Sequence, residues 1–112
     1  MPVSVSTHVL DSVSGRPAAG VAVRLFAGGD PGTAEPVAAG VTDADGRCRL
    51  VEGPTATGTH RIVFGTGDWF AAAGRETFWP EVVLTFAVQE PAEHHHVPLL
   101  LSPFAYSTYR GS

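Results

Sequence analysis

The sequence predicts an all-β fold, an antiparallel β-sandwich of about eight short strands with one short helix. Three observations carry this. Runs of four to eight residues alternate apolar with polar, as half-buried strands do. Turn-forming residues punctuate these runs at steady spacing, with 13 Gly and 9 Pro in 112 residues. Only one segment carries helix start and stop signals.

The first strand is expected over Val3 to Leu10, with Val3, Val5, Thr7 and Val9 on one face and Ser4, Ser6, His8 and Leu10 on the other. The valine face belongs to the core, so His8 points away from it. Asp11 to Gly20 is a turn-rich connection containing Gly15 and Pro17. Val21 to Ala27 reads as the second strand, Gly28 to Gly32 as a loop, and Pro36 to Thr42 as the third strand. Asp45-Gly46 marks a tight turn because glycine accepts positive φ, and Arg47 to Val51 leaves it as a strand.

Thr59 to Gly65 is strand-like, with Ile62 and Phe64 on one face. Asp68 can cap a helix over Trp69 to Ala73, and Gly74 supplies its stop. Glu81 to Val88 alternates clearly, and the last strands are His94 to Leu101 and Ala105 to Arg110. Pro98 is awkward within a strand because it cannot donate to a ladder, so an edge or a local irregularity is expected there.

Length points to one domain spanning residues 1–112, large enough to bury a core without staples. A hydrophobic share of 44% against 16% charged residues excludes a disordered chain. Net charge is -4, all basic residues are arginines, and they form no run, so no nucleic-acid partner is expected. No stretch is long and apolar enough for a bilayer, and Val3 to Leu10 alternates where a secretory leader would be continuously apolar. Cys48 is the single cysteine, which rules out an intrachain disulfide and suits a reducing, cytoplasmic setting.

The segment richest in chemistry is Glu93-His94-His95-His96-Val97-Pro98. On a strand, His94 and His96 share a face and His95 takes the other. Three readings are open for it: a solvated strand end, a metal site completed by His8, or metal-free acid–base chemistry. His8 and Arg47, taken singly, read equally well as surface residues. No phosphate-binding glycine loop and no nucleophile-elbow motif is present.

The chain's ends narrow these alternatives. Ser6-Thr7-His8-Val9-Leu10-Asp11 followed by Ser14-Gly15-Arg16-Pro17-Ala18 resembles the opening signature of the transthyretin-like family. His96-Val97-Pro98-Leu99-Leu100-Leu101-Ser102-Pro103 and Tyr106-Ser107-Thr108-Tyr109-Arg110-Gly111-Ser112 resemble its closing signature. Thr42 to Arg47 and Phe78-Trp79-Pro80-Glu81 fall where the family has similar segments. Tyr109-Arg110-Gly111-Ser112 is the specific element and is similar to the family's hydrolase branch rather than its hormone-carrier branch. His95 departs from a tyrosine common at its position, and Trp79 from a common phenylalanine.

This resemblance implies a two-sheet sandwich assembled as a homotetramer, a dimer of dimers, with a channel between the dimers. It implies that His8, Arg47, His96 and the tail from Tyr109 to Ser112 line that channel. The implied substrate is 5-hydroxyisourate, a planar oxidised purine opened by water without a cofactor. In that scheme His96 is the general base, His8 orients the substrate or acts as acid, Arg47 receives the developing oxyanion, and Tyr109 and Ser112 position substrate and water. An arginine beside the histidines would oppose a bound cation, which favours metal-free chemistry. The alternative is a non-catalytic carrier of a small aromatic ligand.

Overall fold

The computed structural model describes residues 3–28, 35–91 and 93–112. The expected loop from Gly28 to Gly32 therefore lies largely outside the described residues. Within them, the chain forms β1 (Val3–Asp11), β2 (Arg16–Pro17), β3 (Ala22–Ala27), β4 (Ala38–Val41), β5 (Arg47–Glu52), β6 (Gly58–Phe64), α1 (Thr66–Ala72), β7 (Val82–Val88), β8 (His95–Leu101) and β9 (Tyr106–Thr108). No helix among the described residues is long and apolar enough to cross a membrane.

The strands form two sheets. One has five strands in the order β2-β1-β8-β9, with β5 also on β1, and the other has four in the order β4-β3-β6-β7. Their facing sides make one core. Val5 and Val9 of β1 and Leu99 and Leu101 of β8 pack with Leu25, Ile62 and Phe64 of the second sheet. The alternation expected of β1 holds where it is described: Val5, Thr7 and Val9 are fully buried, while His8 stays half-buried on the opposite face. Burial of a valine or leucine side chain is worth about 1.5–3 kcal/mol, which locks the face that His8 occupies.

Pairing across the sandwich is antiparallel except between β1 and β8, which run parallel. These two strands sit near opposite ends of the chain, so the intervening chain supplies the crossover that a parallel pair needs. The two-residue β2 pairs with the end of β1 beyond β5, so both share the same edge of β1.

Pro98 shows how the ladder adapts. Leu99, Leu100 and Leu101 pair with Thr108, Ser107 and Tyr106, and His96 bridges Gly111 in the same register. The interruption falls opposite Pro98, which has no N–H to give. Thr108 instead donates its hydroxyl to the Pro98 carbonyl at 2.6 Å.

The helix begins earlier than expected. Gly65, not Asp68, occupies the cap position, and Asp68 lies in the first turn. The following loop draws Thr66 and Gly67 into the helix: the Thr66 hydroxyl donates to the Trp79 carbonyl at 2.8 Å, and the Gly67 amide to the Pro80 carbonyl at 2.8 Å. Gly74 ends the helix as expected. With φ of 67°, it donates its amide to Ala71 while Arg75 donates to Phe70.

Thr42 anchors the crossing from one sheet to the other. Its buried hydroxyl donates to the Ala18 carbonyl at 2.6 Å and accepts from the Val21 amide at 2.9 Å. Thr42→Val is expected to cost about 1–3 kcal/mol because two buried backbone groups lose their partner. Urea unfolding checks this: the midpoint should fall with an unchanged slope, and an unmoved midpoint would contradict it.

Candidate active site

β1 is the axis of the site because it has partners on both sides. On one side His8 pairs with Arg47 of β5; on the other, Ser6 pairs with His96 and His8 with Pro98 of β8. Paired residues share a face of the sheet, so the register gathers Ser6, His8, Arg47 and His96 on the side away from the core. Three of the sequence-predicted residues, His8, Arg47 and His96, are thus neighbours despite their separation along the chain.

A turn held by Asp43 delivers Arg47. The Asp43 carboxylate accepts from the amides of Asp45 at 2.9 Å and Arg47 at 3.0 Å, and its carbonyl accepts from Gly46. Gly46 has φ of 76°, and a Cβ there would stand 2.4 Å from the Val9 carbonyl oxygen. The turn therefore requires glycine for both its conformation and its close approach to β1. The Arg47 amide, with the Asp45 amide and the charges of Arg47 and His8, holds the Asp43 carboxyl below its usual range. Asp43 thus leaves a carboxylate beside Arg47 and His8.

His96 is held from two directions. Its Nδ1 lies 2.8 Å from the Ser6 hydroxyl, and its carbonyl accepts from the Gly111 amide at 2.9 Å. Burial, followed by the proximity of His94, His8 and Arg47, keeps the His96 imidazole below its ordinary range. Desolvation and like charge both penalise the protonated form, so His96 is neutral at neutral pH and keeps a ring nitrogen free to accept a proton.

Tyr109 and His96 border one cavity of about 370 Å³ between β7 and the tail, together with Phe86 and His95. Arg47 borders another, of about 490 Å³, with Asp43 and Cys48. His8 lies on β1 and lines neither of these two cavities. Tyr109 is 59% exposed. Ser112 is exposed, one residue beyond the Gly111 anchor.

Ser6 escapes the sequence reading, while His94 and Gly111 make contacts that it did not specify. Ser6 carries a hydroxyl that meets His94 Nε2 at 2.9 Å as well as His96. His94 is therefore a partner of the site and not merely a solvated strand end. Gly111 presses so closely on the His96 ring that a Cβ there would lie 2.5 Å from Cδ2. The signal for Ser6 was its position two residues before His8 on the same strand face.

Among the described residues, no group of three ligating side chains is arranged to hold a metal ion. His95 turns inward as its alternation requires and is buried against Phe86. Cys48 is buried, and burial, then Asp43, pushes its thiol up, away from thiolate chemistry.

Known proteins share this architecture. A curated 5-hydroxyisourate hydrolase of Caulobacter vibrioides is 49% identical over 113 residues, covering 96% of this chain and 97% of its own. The structure of Klebsiella pneumoniae 5-hydroxyisourate hydrolase superposes with a TM-score of 0.85 at 39% identity, covering 97% of this chain and 99% of that one. Sea bream transthyretin in complex with thyroxine superposes with a TM-score of 0.84 at 31% identity, over 96% of this chain and 93% of that one. Residues 5–111 match the HIUase/Transthyretin family as a whole, and the chain belongs to that family.

Proposed function

We propose that this protein is a 5-hydroxyisourate hydrolase acting in urate breakdown, converting its substrate to 2-oxo-4-hydroxy-4-carboxy-5-ureidoimidazoline. The observation that carries the reading is the register of β1, which sets two imidazoles and a guanidinium side by side on a polar sheet face. An apolar carrier pocket has little use for that set.

The chemistry follows from the residues. Neutral His96 takes a proton from water, whose oxygen attacks a ring carbonyl carbon. The carbonyl oxygen gains charge, and Arg47, always cationic, donates hydrogen bonds to it. The ring C–N bond then breaks and the departing nitrogen takes a proton, which His8 gives in this reading, or His8 orients the substrate for that step. Tyr109 and Ser112 position substrate and water. No cofactor enters this scheme.

The same reading makes the protein a homotetramer, with the reactive face turned to a channel between dimers. Val13 and Phe104 support it. They are 67% and 68% exposed on two turns joined by the Ser12 amide and the Leu101 carbonyl at 2.8 Å. A second copy would cover this apolar surface, and Tyr109 and Ser112 would join the site within the assembly. The cytoplasm is the setting of this reading, and a single free, buried thiol suits it.

Incubation with freshly generated 5-hydroxyisourate tests the function. Substrate absorbance should decay faster than in buffer, in proportion to protein. Binding without faster decay would establish a carrier instead, and neither binding nor decay would leave only a structural domain.

The depressed His96 also predicts a pH profile. Its neutral form is the active base, so activity persists as pH falls and is lost only when His96 takes a proton. The acid limb of kcat/KM should therefore lie below the ordinary imidazole value of 6.5. Arg47→Gln removes one of the charges that oppose protonation and should move that limb upward. A limb above 6.5 in the native protein would contradict the assignment of His96.

A further inference from the structure

We infer that Ser6 and His94 form a relay that fixes the tautomer of His96, leaving a lone pair on its outward nitrogen. This rests on the hydrolase reading for its purpose but not for its geometry. The Ser6 hydroxyl lies 2.8 Å from His96 Nδ1 and 2.9 Å from His94 Nε2, and the two rings stand 5.9 Å apart. A hydroxyl has one proton to give, so the two imidazoles cannot both accept from it. If Ser6 donates to His94, His96 must offer its own Nδ1–H to Ser6, and Nε2 is left as a base. If Ser6 donates to His96, Nε2 carries the proton and His96 becomes an acid.

Two observations select the first polarity. His94 is exposed, so its Nδ1 can carry the ring proton and meet water, which leaves Nε2 to accept. The groups facing His96 are the imidazoles of His8 on β1 and His94 on its own segment, and the guanidinium of Arg47 on β5, which is always cationic. A guanidinium neighbour stabilises an outward lone pair over an outward N–H. Arg110 of the tail does not alter this balance, since it pairs with Glu93.

The packing makes the ring a fixed element. Nδ1 is tied to Ser6 while the Gly111 backbone closes over Cδ2, so the imidazole cannot turn to exchange its nitrogens without breaking both contacts. When His96 takes a proton from water, Nδ1–H still donates to Ser6, which still donates to His94. The chain of hydrogen bonds then supports the imidazolium at the moment it forms. Ser6 and His94 are positioning residues, since they act on the substrate only through His96.

The test reads the tautomer directly, by long-range proton–nitrogen NMR correlation of the His96 ring above its acid limb. In the native protein, Nδ1 should carry the proton and Nε2 should not. Ser6→Ala should shift the ring toward the Nε2–H form and lower kcat by roughly 10- to 100-fold, the range typical of imidazole-orienting partners. Ser6→Thr keeps a hydroxyl and should restore both. His94→Ala, at an exposed position, should shift the tautomer in the same direction and guards against a folding defect at Ser6. A native ring protonated on Nε2, or a tautomer unmoved in both Ser6→Ala and His94→Ala, would overturn the relay. The spectrum needs no substrate, so absence of hydrolysis would defeat the hydrolase reading while the NMR result still decides the relay.

Discussion

Replacing His96 with asparagine is expected to lower kcat/KM by about 10²–10⁴-fold, the contribution of a positioned acid–base group. Asparagine retains a polar side chain that can reach Ser6 but cannot take a proton near neutral pH. The core should be untouched because His96 lies on the sheet face opposite Val97 and Leu99. Arg47→Gln is expected to cost about 10²–10³-fold, as loss of an oxyanion donor does. Steady-state rates with circular dichroism on each variant check both. A near-native rate for either would remove that residue from the reacting set.

Gly111→Ala should have a comparable effect from a residue with no side chain of its own. The added methyl carbon would stand 2.5 Å from His96 Cδ2, 3.1 Å from Cγ and 3.3 Å from Cβ. All three atoms belong to one side chain, and that side chain is tied at Nδ1 to Ser6. Either the ring rotates and breaks that bond, or the tail lifts and breaks the Gly111 amide bond to the His96 carbonyl. A displacement of about 1 Å at a reacting group can cost about 10²-fold. Activity should fall by about that factor while the melting temperature barely moves, because the tail contributes little buried area. Full activity in Gly111→Ala would show that the ring position is not critical.

Much of this was legible in the sequence, for a physical reason. The side-chain period of a strand is local, so the inward face of β1 and the outward place of His8 follow from alternation alone. The shared face of His94 and His96 follows in the same way. The Asp45-Gly46 turn and the Gly74 stop announce themselves because positive φ selects glycine. What alternation cannot supply is the register between distant strands. The parallel pairing of β1 with β8 and the bridge from Ser6 to two imidazoles 88 and 90 residues away depend on it. So does the contact of Gly111 with His96. The early start of α1 is nonlocal too, since Trp79 and Pro80 supply the acceptors for its first turn.

The polar face of β1 and its neighbours competes with the cleft between β7 and the tail as the place where a planar ring would lie. A crystal structure of the protein with a non-hydrolysable oxidised-purine analogue separates them most directly. The account predicts the ring over the β1 face, with an oxygen within hydrogen-bond reach of Arg47 and a water or ring atom against His96 Nε2. An analogue seated instead against Phe86 and His95, out of reach of His8 and Arg47, would contradict it.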